Sequence, residues 1–424
     1  ARGSTVTAGN NVNINATGAG ADSNLLVQGS SVKAGNNTTL AADNQINLLA
    51  ANNESSQTST NSNSSSSIGA SFSAQGINAN ASVSRGSGKS DGQDTSFTNT
   101  DISAGNTATV KSGGDTNVIG ATVQANQIKA DIGGSLKIES LQDKSSYTSN
   151  QKSMGASISI PITGSGSAGA SVSANKSNAD SNFQSVGQQS GLKAGDGGFQ
   201  VSVNNNTALK GGVIASTQQA INDNKNTFTT GGSLSIADVQ NTASFKGTAV
   251  GGTIGVGSEL GKSGAGVGNK SGNASSTTTA GISGITGNTA VRTGDAETGL
   301  KPVFDADKVQ REINAQVAIT TAFTQQAVPV AAKFADNKAI ELRKQGDEEE
   351  AKKWDEKGIY RTAIYGGVGF LTGGIGGATG AVASAQVVPT IGEEIARLNL
   401  PEPVRQGLTQ LVGLTVGVTF GGSG

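Results

Sequence analysis

A mainly β chain is predicted: a parallel β-helix (solenoid) with three β-hairpin insertions, followed by a small α-helical C-terminal domain. Three observations lead there. A short degenerate repeat with Gly-Asn corners runs from the start to roughly residue 290. Three uncharged stretches within it alternate apolar with small polar residues, the period of a strand with two unlike faces. Near residue 300 the composition turns helical, and only Pro161 of the six prolines precedes that point.

The repeat has the form apolar-x-small-Gly-Asn/Asp-x-x-x-apolar. It reads Val6-Thr7-Ala8-Gly9-Asn10 leading to Val12 and Ile14, and Val32-Lys33-Ala34-Gly35-Asn36 leading to Leu40. Copies begin again at Ile102 and Leu192, with a variant from Phe228 to Ile236. Short strands such as Ile46-Asn47-Leu48, Val123-Gln124-Ala125 and Leu136-Lys137-Ile138 lie between them. Two short strands per unit at roughly 20-residue spacing predict parallel rungs, each pairing with those above and below. The Gly and Asn are expected to supply positive φ at tight corners. Ser55-Ser56-Gln57-Thr58-Ser59 returns as Ser145-Ser146-Tyr147-Thr148-Ser149, so a larger repeat carries the hairpins periodically.

The hairpins are expected at about 55–90, 145–180 and 242–275. In the first, Ile68, Ala70, Phe72 and Ala74 meet Ile77, Ala79, Ala81 and Val83, with a turn at Gln75-Gly76 pairing Ala74 with Ile77. In the second, Met154, Ala156, Ile158, Ile160 and Ile162 face Ala170 and Val172; the third runs through Val250, Ile254 and Val256 to Val267. Each has one apolar face, suited to covering a core or to entering a membrane. Both fates are open at this stage: a sheet packed on the solenoid, or a membrane-facing surface. Strands of about eight residues would reach ~27 Å. Six are too few for a closed barrel, so insertion needs refolded rungs or several copies.

From residue 299 onward the domain reads as helical. One helix carries Val309, Ile313 and Val317 after an Asp305 or Asp307 cap, and a second runs from about Pro329 to Lys357 and ends near Gly358. The run Asp347 to Glu350 before Lys352 and Lys353 predicts a solvated face with intrahelical pairs. Farther on, Gly369, Gly373, Gly377, Ala381 and Ala385, then Gly413, Gly417 and Gly421, fall at intervals of four and make candidate helix-packing stripes.

Composition excludes several classes of function. Histidine is absent, which removes imidazole acid/base catalysis, His-metal sites and Ser-His triads. Cysteine is absent as well, and a net charge of −1 argues against a nucleic-acid partner. With 14% charged and 4% aromatic residues the core must be thin, built from Val, Ile and Ala. Acidic residues stand singly through residues 1–300 and Arg is almost missing there, unlike a β-helix lyase cleft. No catalytic, cofactor or metal site is expected. The missing signal peptide at Ala1 suggests a segment of a larger protein.

The Ala-Gly-Asn rungs, the Ser-rich hairpins and the Gly-rich tail together resemble the haemagglutinin-repeat region of filamentous haemagglutinin and contact-dependent growth inhibition effectors. Residues 301–424, with Ala306-Asp307-Lys308-Val309-Gln310 and Ala318-Ile319-Thr320, resemble the pretoxin segment of that family. The resemblance implies an exoprotein secreted to the bacterial surface through an outer-membrane two-partner transporter. Its toxin domain would lie downstream of Gly424, outside this chain, so no enzyme activity is expected here. It implies toxin delivery: association with the target cell's outer membrane or its lipid, and translocation. A passive adhesin stalk is the alternative.

Overall fold

The computed structural model describes residues 2–73, 76–165, 167–257 and 264–355. Nearly all its short strands pair in parallel, whereas six long strands pair antiparallel. Parallel pairing stacks like residues in columns. One column runs Val6, Val32, Ile102, Val123, Leu192, Ile214, Ile282. A second runs Ile14, Leu40, Val110, Ala130, Val201, Phe228. A third runs Val27, Leu48, Val118, Ile138, Leu209, Ile236. A turn of chain therefore uses three strands, as in Ser31–Ala34, Thr38–Ala42 and Ile46–Leu49, one more than the sequence reading allots. Ile46-Asn47-Leu48 is the third side of a rung. This stacking is compatible with a β-helix. The columns form one core in which Leu40, Ile46, Leu48, Ile128 and Ile138 are fully buried.

The Ala-Gly-Asn corner works differently from the expectation. Asn11 accepts a hydrogen bond through Oδ1 from the Asn37 backbone N–H (3.1 Å), and Asn37 repeats this for Thr107 (3.2 Å). The glycines, however, do not take positive φ at 9, 35 or 105. A Cβ at Gly35 would strike the Gly9 carbonyl, and one at Gly105 would strike the Gly35 carbonyl. Rung-to-rung contact demands glycine there, not turn geometry.

Left-handed glycines occupy a different corner: Gly29 (φ 55°), Gly120 (φ 60°) and Gly211 (φ 58°). Backbone hydrogen bonds place these residues in one column with Ala50 and Ser140, in the order Gly29, Ala50, Gly120, Ser140, Gly211. The long strands leave just after Ala50, Ser140 and Asp238, at Ala51, Gln142 and Val239. Alternate rungs thus turn through a glycine, and the rungs between them send out a strand pair. Separations agree: Asn10 to Asn36 is 26 residues, whereas Asn47 to Asn117 is 70.

The long pairs are Ala51–Ser73 with Gly76–Thr98, Gln142–Gly164 with Gly169–Val186, and Val239–Gly257 with Gly264–Thr278. Strands of 15 to 23 residues replace the expected eight or so. The pairs also join one another, from Lys144↔Thr95 to Gly164↔Gly76 and from Gly169↔Gly257 to Gln184↔Thr242, making one six-stranded sheet. In the first pair the register differs from the expectation. Phe72 meets Ile77, Ala70 meets Ala79 and Ile68 meets Ala81, a two-residue slide that keeps these residues on their predicted face.

A long helix, Ala306–Lys344, begins at an Asp305 cap that accepts from the Lys308 N–H (2.9 Å). It passes through Pro329, where a second helix was expected to start, because packing on either side of that point holds it. Val309 and Ile313 are buried toward one end, and Ala335 and Ala339 pack with Trp354 toward the other. The break comes instead at Gly346 (φ 82°), after which Glu348–Trp354 forms a short helix. Lys352–Glu349 (2.8 Å) and Lys353–Glu350 (2.6 Å) are the intrahelical pairs expected of the acidic run. Gly358 lies outside the described residues.

Two substitutions test the corner argument. Gly105→Ala should destabilise by about 1–3 kcal/mol, because the added carbon must displace backbone. Gly9→Ala, with nothing within 4 Å, should leave thermal unfolding unchanged. A third test uses Glu139, beside the exit of the second strand pair. Burial alone would push its carboxyl up, but Lys137 (2.8 Å) and Lys210 (2.9 Å) hold it below the ordinary value. Its contribution is fully present above the usual carboxylate range and lost as pH falls through the depressed value. Glu139→Gln should therefore lower the midpoint of thermal unfolding near neutrality, with the gap to wild type closing in acid.

Candidate interaction surface on the long sheet

Directly opposed residues in an antiparallel pair point to the same side of a sheet, so the register brings the predicted apolar residues of all three pairs onto one face. One row reads Ile68, Ala81, Ile158, Ala170, Val256, and the next reads Val83, Ala156, Val172, Ile254. Ala70, Ala79 and Ile160 continue toward the tip, as do Phe72 and Ile77. Toward the solenoid, Met154 and Ala174 share a row with Gly252 and Ala265, and Val250 pairs with Val267. Ile162 projects near the tip, while Ala74 lies outside the described residues.

Among the described residues nothing covers this face. Relative exposure is 90% for Ile68, 77% for Phe72, 74% for Ile254 and 64% for Met154. Contiguous exposed apolar surface is uncommon on soluble monomers. The band runs from Ile77 to Val83 on one strand and from Met154 to Ile162 on another, about 20–27 Å at ~3.4 Å per residue. On its solenoid side stand Arg85, Lys152 and Lys176, all exposed, with Lys152 and Lys176 directly opposed and Arg85 opposite Met154. Like charges in direct opposition are destabilising unless an anion relieves them.

The other face is hydroxyl-rich. Ser65 and Ser84 lie 2.7 Å apart, Ser67 and Ser82 2.8 Å, and Ser157 and Ser171 2.6 Å. Near the base Asp143 accepts from the Phe97 N–H (2.9 Å), tying the first pair to the second; burial pushes its carboxyl up despite that bond.

The long helix lies on this second face, over the third pair. Val309 and Ile313 pack on Ala249, joined by Phe245, Val317 and Phe304, whose ring also meets Tyr147 at 5.3 Å between centroids. Glycines make room. A Cβ at Gly268 or Gly266 would strike the helix carbonyls of Ile313 or Val317, and one at Gly247 would meet Val309 at 2.6 Å. This docking groove escaped the sequence reading. Its trace there is Gly264-Ala265-Gly266-Val267-Gly268, glycine at every second position.

The packing stripes from Gly369 to Gly421 lie outside the described residues. No helix among the described residues is long and apolar enough to cross a membrane, which says nothing of strands. Among the same residues no cluster of three or more His, Cys, Asp or Glu could hold a metal ion.

The Hemagglutinin repeat family matches residues 1–156. The chain is 33% identical to a protein named Deoxyribonuclease CdiA from Yersinia pseudotuberculosis serotype O:3 (strain YPIII) over 338 residues, covering 73% of this chain and 31% of the relative. It is 33% identical to Toxin CdiA from Yersinia pestis over 421 residues, 88% of this chain and 12% of the relative. It is 36% identical to tRNA nuclease CdiA from Escherichia coli (strain NC101) over 344 residues, 73% of this chain and 10% of the relative. The chain thus spans less than a third of those relatives' lengths. No solved structure matches it. Its rung columns, its repeats and these likenesses agree: the chain belongs to the filamentous haemagglutinin/CdiA family.

Proposed function

We propose that this chain is the delivery segment of a two-partner-secreted surface exoprotein of contact-dependent growth inhibition, a β-helix with hairpin insertions and a helical C-terminal unit. In this reading it reaches the target cell's outer membrane through the apolar face of its long sheet. The chain then helps a downstream toxin across and contributes no catalysis of its own. The nuclease names of relatives belong to proteins several times longer than the segment matched here.

The observation that carries the reading is the uncovered apolar band. The band extends about 20–27 Å along its strands, of the order of the ~25 Å apolar band of membrane β-barrels. The hydroxyl-rich opposite face would suit a path for polar chain. Arg85, Lys152 and Lys176 border the band where anionic headgroups would lie, which would also relieve the Lys152–Lys176 opposition.

The chain has no cysteine, so a single introduced thiol can carry an environment-sensitive fluorophore. Labels at Phe72→Cys and Ile158→Cys should shift to a lipid-buried signal on adding outer-membrane vesicles, while labels at Ser71→Cys and Ser159→Cys should not. The triple change Arg85→Gln, Lys152→Gln, Lys176→Gln should weaken partitioning by about 1 kcal/mol per residue and flatten its salt dependence. Labels that ignore vesicles at all four positions would leave only a passive stalk.

A further inference from the structure

The two edges of the long sheet are unlike. At the strand Gly264–Thr278, alternate residues turn their backbone groups away from the sheet, and side chains of the long helix meet them one by one. The Ala265 N–H donates to the Thr324 hydroxyl (3.1 Å), the Val267 N–H to the Thr320 hydroxyl (2.8 Å) and the Asn269 N–H to Gln316 Oε1 (2.8 Å). The same hydroxyls lie 2.7 Å and 3.0 Å from the Ala265 and Val267 carbonyls. Steps of four along a helix advance about 6 Å, and steps of two along a strand about 6.8 Å, so the two ladders keep step over these three rungs. The helix occupies the place of a seventh strand, with side-chain groups standing in for a strand's backbone.

The opposite edge, Ala51–Ser73, has one strand neighbour among the described residues. Exposed edges are ordinarily blunted by charge, proline or shortness. This one is 23 residues long, and from Ser55 to Ser73 it carries neither charge nor proline. The two edges are also complementary. Ala51–Ser73 runs away from the solenoid and Gly264–Thr278 runs back toward it, so edge-to-edge contact between copies is antiparallel. Their apolar residues, Ile68, Ala70 and Phe72 on one and Ala265 and Val267 on the other, share a face.

We propose that the long helix is a removable edge cap, and that its release lets Gly264–Thr278 pair with Ala51–Ser73 of a second copy of this chain. Because the contact joins unlike edges, repetition closes a ring wherever the rotation between copies closes. Two copies give twelve strands, an even number within the range of membrane barrels, where one copy's six are too few. The apolar face would then lie outside and the hydroxyl face would line the interior. This rests on the membrane reading only for where the closed wall sits; the pairing itself is a property of the chain.

The test mixes two full-length single-thiol chains, Ser62→Cys on one edge and Asn269→Cys on the other, and treats them with a short thiol-to-thiol cross-linker. It is run in buffer and with vesicles of phosphatidylethanolamine and phosphatidylglycerol. With the helix intact, cross-linking between copies in buffer should be low. With Gln316→Ala, Thr320→Val and Thr324→Val it should rise several-fold. Lys270→Glu should act likewise by opposing Glu312, now paired at 3.0 Å, without touching the ladder. A separate chain with Lys152→Cys and Lys176→Cys, directly opposed within one copy, reports that each variant keeps its sheet. If that internal link forms while the two edges stay apart in both released variants, in buffer and in vesicles alike, the cap proposal is overturned. The fluorophore shift at Ile158→Cys is scored independently. Lipid burial without edge cross-links removes the cap and leaves the membrane reading standing, and edge cross-links without lipid burial do the reverse.

Discussion

The structure depends on one commensurate spacing. Parallel rungs stack about 4.8 Å apart, and strands within a sheet lie the same distance apart. A strand pair leaving every second rung therefore has two rungs of room, the width that two strands need. Emerging from one corner column, after Ala50, Ser140 and Asp238, the three pairs arrive side by side already in hydrogen-bonding reach. Insertion on every rung would overcrowd them; insertion on every third would leave gaps. The alternation of left-handed glycines at Gly29, Gly120 and Gly211 with exit points between them is how the chain keeps that interval.

Once the pairs merge, their faces merge. Apolar residues that are modest within any one pair become rows across the sheet, and hydroxyls become the opposite rows. The helix settles on the hydroxyl face because glycine there lets its backbone approach, with Gly266 and Gly268 under the Val317 and Ile313 carbonyls. Its apolar stripe is satisfied by Ala249, Phe245 and Phe304. The face with the larger side chains is left bare. Burial in this molecule follows close approach rather than hydrophobicity alone.

The alternation of Ile68, Ala70 and Phe72, or of Met154, Ala156 and Ile158, was legible from sequence as one-faced strands because the period of a strand is short and local. The rungs were legible for the same reason, through Val32, Leu40 and Leu48. Less was readable where neighbours distant in sequence decide. The role of Gly35 and Gly105 lies in the carbonyl of another rung, so a turn was the natural but mistaken explanation. Pro329 argued for a helix boundary, and packing at both ends overrode it. The tip register differs by two residues because sliding by two keeps the same face inward and outward, so alternation alone does not choose between the two pairings.

By itself the sequence determined which residues alternate, where rungs recur, that histidine and cysteine chemistry is absent, and which family the chain resembles. These follow from short-range period and composition. Only the tertiary structure decided that three separate strand pairs form one sheet, that their apolar faces lie on the same side, and that Gln316, Thr320 and Thr324 sit against a strand edge. Each of those depends on the stacking of rungs tens of residues apart, a spacing set by hydrogen bonds between rungs of the one chain rather than by any local pattern.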